Sequence, residues 1–147
     1  MTKSSTRSPG PPVHLYIVAV GSNIDAELNY GRLLTILEQE QDLVATASAI
    51  WTKPEDYLDQ ADFLNSAVAL RTTMDAMQLK AWLKELEIRL GRVKGPIKAG
   101  PRTMDLDIII QDGRLMDAEY LHRDYIQAPV DQLLAVLGIA PQSDEYS

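Results

Sequence analysis

Two carboxylates, Asp105 and Asp107, stand inside an otherwise apolar run, Met104 to Ile110. That run reads as a β-strand, and residues two apart on a strand share a face, roughly 6.6 Å apart. Asp105, Asp107 and Ile109 are then expected on one side and Leu106, Ile108 and Ile110 on the other. Two unpaired carboxylates on a half-buried face repel each other and lose hydration at large cost. A hard cation removes both penalties, and Mg²⁺ is commonly held by one or two carboxylates plus substrate phosphates. Just upstream, Lys98 and Arg102 offer positive charge to an anion arriving with the ion. Gly100-Pro101-Arg102 is a stiff approach that would hold the arginine in place. The pattern points to phosphoryl-type chemistry. A solvated Asp-x-Asp pair is the alternative, and the three isoleucines that follow argue against it by marking a buried strand.

The elements that must position these groups can be read along the chain. Leu15 to Val20 is a compact apolar strand closed by the turn Gly21-Ser22-Asn23. Leu28 to Glu40 carries apolar residues at helical spacing, and Leu43 to Trp51 reads as a second strand. Thr52 to Ala61 is a polar connection of a length that is more often functional than idle. Phe63 to Leu70 is a third strand, followed by a helix from the N-cap Asp75 to Leu90, with Gly91 as its stop. The acidic strand follows and turns at Asp112-Gly113; Tyr120 to Ala128 reads as a loop and Val130 to Leu137 as a short helix. The order β-α-β-β-α-β predicts an α+β, ferredoxin-like fold. Its antiparallel sheet would carry both helices on one face, leaving the other for loops and ligand, with a C-terminal extension beyond.

Composition bounds the rest. A chain of 147 residues, 46% hydrophobic and 24% charged, is expected to form one globular domain over residues 13–141. Residues 1–12 are expected as a disordered tail and 142–147 as a frayed one. With no cysteine there is no disulfide framework and no thiolate or cysteine-zinc chemistry, and a reducing compartment is compatible. No apolar run approaches the ~20 residues that span a bilayer. The first dozen residues lack a signal-peptide core, so a cytoplasmic protein without a membrane partner is expected. The net charge of −7 argues against nucleic acid as a partner. Against that acidity, Arg89, Arg92, Lys94, Lys98 and Arg102 form a basic cluster suited to a small anionic ligand.

Residues Lys98 to Ile109 (KAGPRTMDLDII) resemble the signature of the 6-hydroxymethyl-7,8-dihydropterin pyrophosphokinases of folate biosynthesis. Val18 to Asn23 (VAVGSN) is similar to that family's first strand and turn, and Asp62 to Leu70 (DFLNSAVAL) to its pterin-binding strand. Gly91-Arg92-Val93 falls at the family's spacing before Gly100. The resemblance runs from about residue 15 to 141. It implies a ferredoxin-like enzyme, acting as a monomer, that transfers the terminal pyrophosphate of ATP, its co-substrate, to the pterin hydroxymethyl group, releasing AMP.

By resemblance, Asp105 and Asp107 would hold two Mg²⁺ ions, and with Arg92 and Arg102 would form the catalytic set. ATP would be met by Glu87, Arg92, Lys94, Lys98, Arg102, Ile108 and His122. The pterin would be met by Gly21, Thr52, Pro54, Phe63, Asn65 and Asp105. Phe63 would stack on the ring, and the Asn65 amide supplies donor and acceptor together, as a ring edge with adjacent amide and amino groups requires. Departures fall on the lid. Gly95 and Ala99 replace a basic residue and a tryptophan. Arg123, Ala128 and Val130 stand where a tyrosine, an arginine and a closing phenylalanine are usual, with Tyr125 or Arg123 the nearest substitutes. A divergent relative that binds pterin or nucleotide without turnover, or a ferredoxin-like interaction domain, therefore stays open beside the enzyme.

Overall fold

The computed structural model describes residues 10–93 and 100–140. Five longer strands and three helices carry the fold: β1 His14–Ser22, α1 Ala26–Glu40, β2 Asp42–Thr46, β3 Ile50–Thr52, β4 Phe63–Thr72, α2 Ala76–Arg89, β5 Asp105–Gln111 and α3 Asp124–Leu137. A two-residue strand β6, Arg114–Leu115, closes the hairpin after β5. The sheet runs β2-β4-β1-β5-β6, with β3 pairing on β4 beyond β2, and each pairing is antiparallel. This is the expected ferredoxin-like arrangement. Among the described residues no helix is long and apolar enough to cross a membrane. Of the expected tails, residues 10–12 are described, while 1–9 and 142–147 lie outside the described residues.

Two apolar layers flank the sheet. On one side α1 and α2 bury Leu33, Leu37, Leu79, Leu83 and Leu86 against Tyr16, Val18, Val68, Leu70 and Leu106. Helix α2 starts where its sequence says, because Asp75 and Gln78 cap each other: Gln78 N–H donates to Asp75 Oδ1 and Asp75 N–H to Gln78 Oε1, both at 2.8 Å. It stops at Gly91, whose φ of +97° suits glycine.

On the other side the C-terminal extension is itself a long helix. Val130, Leu133 and Leu134 of α3 pack on Ile17, Ala67, Ala69 and Ile109. The face expected to be left for loops and ligand is thus partly covered by α3, and it stays open at the end where Gly21, Asn65 and Asp105 lie. The loop expected over Tyr120 to Ala128 is instead a 3-10 turn, Ala118–Leu121, and the first part of α3. Pro129 reads as a helix stop, yet it lies only a little beyond the first turn and is buried with the apolar stripe, so tertiary packing offsets its lost hydrogen bond.

Two further differences have local causes. The strand expected over Leu43 to Trp51 breaks into β2 and β3, because side chains take over its backbone. Ser66 Oγ donates to Ala47 O at 3.0 Å and Ser48 N–H donates to Gln132 Oε1 at 2.8 Å. In β5 the pairing with β1 shifts between Ile17 and Val18, so Ile17 faces Ile110 while Val18 faces Ile108. That bulge puts Ile110 on the α3 side with Ile109, whereas Leu106 and Ile108 keep the expected side.

Candidate active site

Strand register assembles the site. Asn65 on β4, Gly21 on β1 and Asp105 on β5 are lateral neighbours on one rung, and Ala67, Ala19 and Asp107 form the next rung on the same face. The middle position of the upper rung must be small. A Cβ at Gly21 would sit 3.3 Å from Asn65 Oδ1, tighter than ordinary contact. Asn65 is held in turn by donating Nδ2 to Thr52 Oγ1 at 2.5 Å.

Three hollows meet at this open end. The first, about 150 Å³, is lined by Gly21, Thr52, Pro54, Phe63, Asn65, Arg102, Asp105 and Tyr125. The second, about 310 Å³, lies between α2 and β5 and is lined by Met77, Lys80, Lys84, Asp107, Ile108 and Asp117 among others. The third, also about 310 Å³, shares Asp105 with the first and Asp107 with the second. The two carboxylates therefore stand between a partly aromatic cavity and a largely apolar one with two lysines in its lining.

Charge around them is arranged in layers. Asp105 Oδ1 accepts from Arg92 Nη1 at 3.1 Å and lies 3.6 Å from Arg102 Nη1. Asp107 Oδ1 lies 3.8 Å from Lys84 Nζ. Lost hydration, and then the neighbouring charge of Asp105, push the Asp107 carboxyl up to about 6, against a smaller opposing pull from Lys84. Glu87 is 3% exposed, and its carboxylate accepts from Arg92 Nη1 at 2.8 Å, Leu106 N–H at 2.7 Å and Lys84 Nζ at 3.2 Å. It ties α2 to the acidic strand. Arg102 is fixed through its backbone, which exchanges two hydrogen bonds with Asn23: Arg102 N–H to Asn23 Oδ1 at 2.8 Å and Asn23 N–H to Arg102 O at 3.0 Å.

A divalent ion fits this donor set. Among the described residues no three or more His, Cys, Asp or Glu are grouped to hold an ion. Asp105 and Asp107 offer two carboxylates whose mutual repulsion a cation relieves, leaving further positions for substrate oxygens. Residues 17–135 match the family model described as 7,8-dihydro-6-hydroxymethylpterin-pyrophosphokinase. The chain belongs to that family.

Its relatives agree. The chain is 36% identical over 107 residues to the 2-amino-4-hydroxy-6-hydroxymethyldihydropteridine pyrophosphokinase of Bacillus subtilis, covering 71% of this chain and 64% of that one. It is 32% identical over 129 residues to the protein of the same name from Pseudomonas aeruginosa, covering 84% and 79%. The mitochondrial folate synthesis bifunctional protein of Pisum sativum is 33% identical over 138 residues, covering 87% of this chain but 26% of that longer protein.

Against the family pattern, the structure gathers Gly21, Thr52, Pro54, Phe63, Asn65, Arg102 and Asp105 around one cavity and Asp107 and Ile108 around the next. Arg92 reaches Asp105 without lining either. Glu87 turns its carboxylate to Arg92, Lys84 and Leu106, whereas His122 is exposed at the end of the 3-10 turn, between Glu119 and Arg123 of the third hollow's lining. Lys94, Lys98, Gly95 and Ala99 lie outside the described residues. Val130, where a closing phenylalanine is usual, is fully buried in the α3 layer, and Tyr125 lines the cavity that holds Phe63. Sequence reasoning missed Lys84 and Asp117 at the second cavity and the Asn23 clamp. Lys84 had a readable signal in its (i, i+3) spacing to Glu87; Asn23 and Asp117 had none, since their roles depend on contacts distant in sequence.

Proposed function

We propose that this protein transfers pyrophosphate from ATP to 6-hydroxymethyl-7,8-dihydropterin, giving AMP and the pterin diphosphate. The observation that carries the reading is the placement of Asp105 and Asp107 between two cavities of different chemistry, each suited to one substrate. A pterin ring suits the first, against Phe63 and with its polar edge toward Asn65 and Thr52. A nucleoside suits the second, beside Ile108 and Met77, with Lys80 and Lys84 at its rim.

In the reaction the pterin hydroxyl oxygen bonds to the β-phosphorus, the bond between that phosphorus and the α-phosphate bridging oxygen breaks, and the hydroxyl proton leaves to solvent. Asp105 and Asp107 would hold the two Mg²⁺ ions, which when bound neutralise the triphosphate and favour the ionised hydroxyl. Arg92 and Arg102, already gathered at Asp105, supply permanent charge for the phosphates as Asp105 turns to metal. Lys94, Lys98, Ile108 and His122 complete the ATP contacts, and Gly21 and Pro54 the pterin cavity. The protein works as a cytoplasmic monomer in this reading.

Incubation with ATP, Mg²⁺ and the dihydropterin should release AMP at a rate that depends on all three. Tight calorimetric binding of both substrates without AMP would instead show a non-catalytic relative. Within the enzyme reading, Asn65→Leu should raise KM for the pterin about a hundredfold, because a buried ring edge loses its partner. KM for ATP should stay as it was, and steady-state kinetics separates the two.

A further inference from the structure

The connection from β3 to β4, residues 53–62, walls the first cavity, and its two halves are held differently. Its second half is fixed from the turn after β1: Asn23 Nδ2 donates to Gln60 Oε1 and to Ala61 O, both at 2.9 Å. Its first half reaches the body of the protein through Arg123. That guanidinium donates by Nη1 to Glu55 Oε1 at 2.6 Å and by Nε to Glu119 Oε2 at 2.9 Å, and its Nη2 lies 4.0 Å from Asp56 Oδ2. Arg123 is the N-cap of α3. Tyr125, two residues on, lines the same cavity as Glu55 and Asp56. One side chain therefore connects both walls of the space.

We propose that Arg123 is a positioning residue for the pterin, holding the Glu55 wall and Tyr125 at the separation a flat bicyclic ring requires. The proposal rests on the pyrophosphokinase reading of the site. A planar guanidinium is suited to the task because its donors point in fixed directions and can serve two carboxylates at once. A lone surface ion pair contributes little, but a cation shared among three carboxylates from two segments forms a network whose members act together. Hydrogen bonds to Glu119 and then Glu55 also raise the Arg123 pKa, so it keeps its charge throughout.

The effect on substrate should be selective. In Arg123→Met the KM for the pterin should rise on the order of tenfold while KM for ATP is unchanged. Glu55→Gln should move the same constant in the same direction. Arg123→Lys, which keeps the charge but not the fork that serves two carboxylates at once, should recover only part of the pterin KM. A readout without substrate runs beside these: amide hydrogen exchange should quicken in residues 53–57 of Arg123→Met and stay slow at 60–62.

An unchanged pterin KM overturns the proposal, as does unchanged exchange. A rise confined to the ATP KM also overturns it, and makes Arg123 a phosphate ligand instead. Should the unaltered protein release no AMP, the catalytic reading fails. The strap is then judged by hydrogen exchange and by calorimetric binding of the pterin, so the two failures are told apart.

Discussion

Asp107→Asn should abolish AMP formation, by on the order of 10³-fold, while making the metal-free protein more stable at pH 7. The two effects have one cause. Asp107 faces Asp105 from the adjacent rung on the same sheet face, and the Lys84 ammonium, 3.8 Å away, offsets part of the repulsion. Lost hydration first, and then that repulsion, push its carboxyl up to about 6 from an ordinary 3.8. A folded-state pKa above the unfolded one means the native protein holds that proton more strongly, so stability falls as pH rises from about 4 through 6 and is flat above. Melting curves of the metal-free protein across that window should show the wild type losing ground to Asp107→Asn. A parallel course for the two would remove Asp107 as the source. Divalent-ion affinity runs the opposite way, weakening below pH 6 as Asp107 takes its proton.

Asp105→Asn should be as inactive but not more stable. Its carboxylate is bonded to Arg92 and lies close to Arg102, so its removal leaves two guanidinium groups beside each other. The carboxylate pair is thus asymmetric: one aspartate is bonded to arginine, and the other is pushed toward protonation. That contrast could not be read from Asp-x-Asp, because the spacing gives the shared face but not the neighbours on α2.

What the sequence did carry was short-range. The alternation of Asp105, Leu106, Asp107 and Ile108 gave their faces, and Asp75 as N-cap gave the start of α2. The alternation failed at Ile110, because a bulge depends on pairing with β1. The expected helix begins at Val130, whereas α3 begins at Asp124, because Pro129, a breaker by local rule, is tolerated by packing on the sheet. The open end of the α3 face likewise follows from where α3 begins over the strands, at Tyr125 and Ile126. Family likeness supplied residue identities, yet it pointed to Val130 where the fold buries a core side chain and brings Tyr125 to the cavity instead.

Glu87→Ala should be the most destabilising single change near the site, lowering stability by about 3–5 kcal/mol and Tm by roughly 10 °C or more. Glu87 is buried and holds three donors at once: the Leu106 N–H on β5, Arg92 from the chain beyond α2, and Lys84 on its own helix. Truncation leaves a backbone N–H and two cations without that acceptor, and the larger cost is the uncompensated charge. Glu87→Gln separates charge from shape. Its amide oxygen can still accept from Leu106 N–H, so the strand should stay docked and much of the stability should return. The loss of a negative charge leaves Arg92 held by Asp105 more strongly, and that pull competes with metal. Glu87→Gln should therefore keep most of the fold yet require more Mg²⁺ for half-maximal AMP release. A variant as unstable as Glu87→Ala, or one with an unaltered Mg²⁺ requirement, would show that the carboxylate acts on α2 alone and not through Arg92 on the acidic strand.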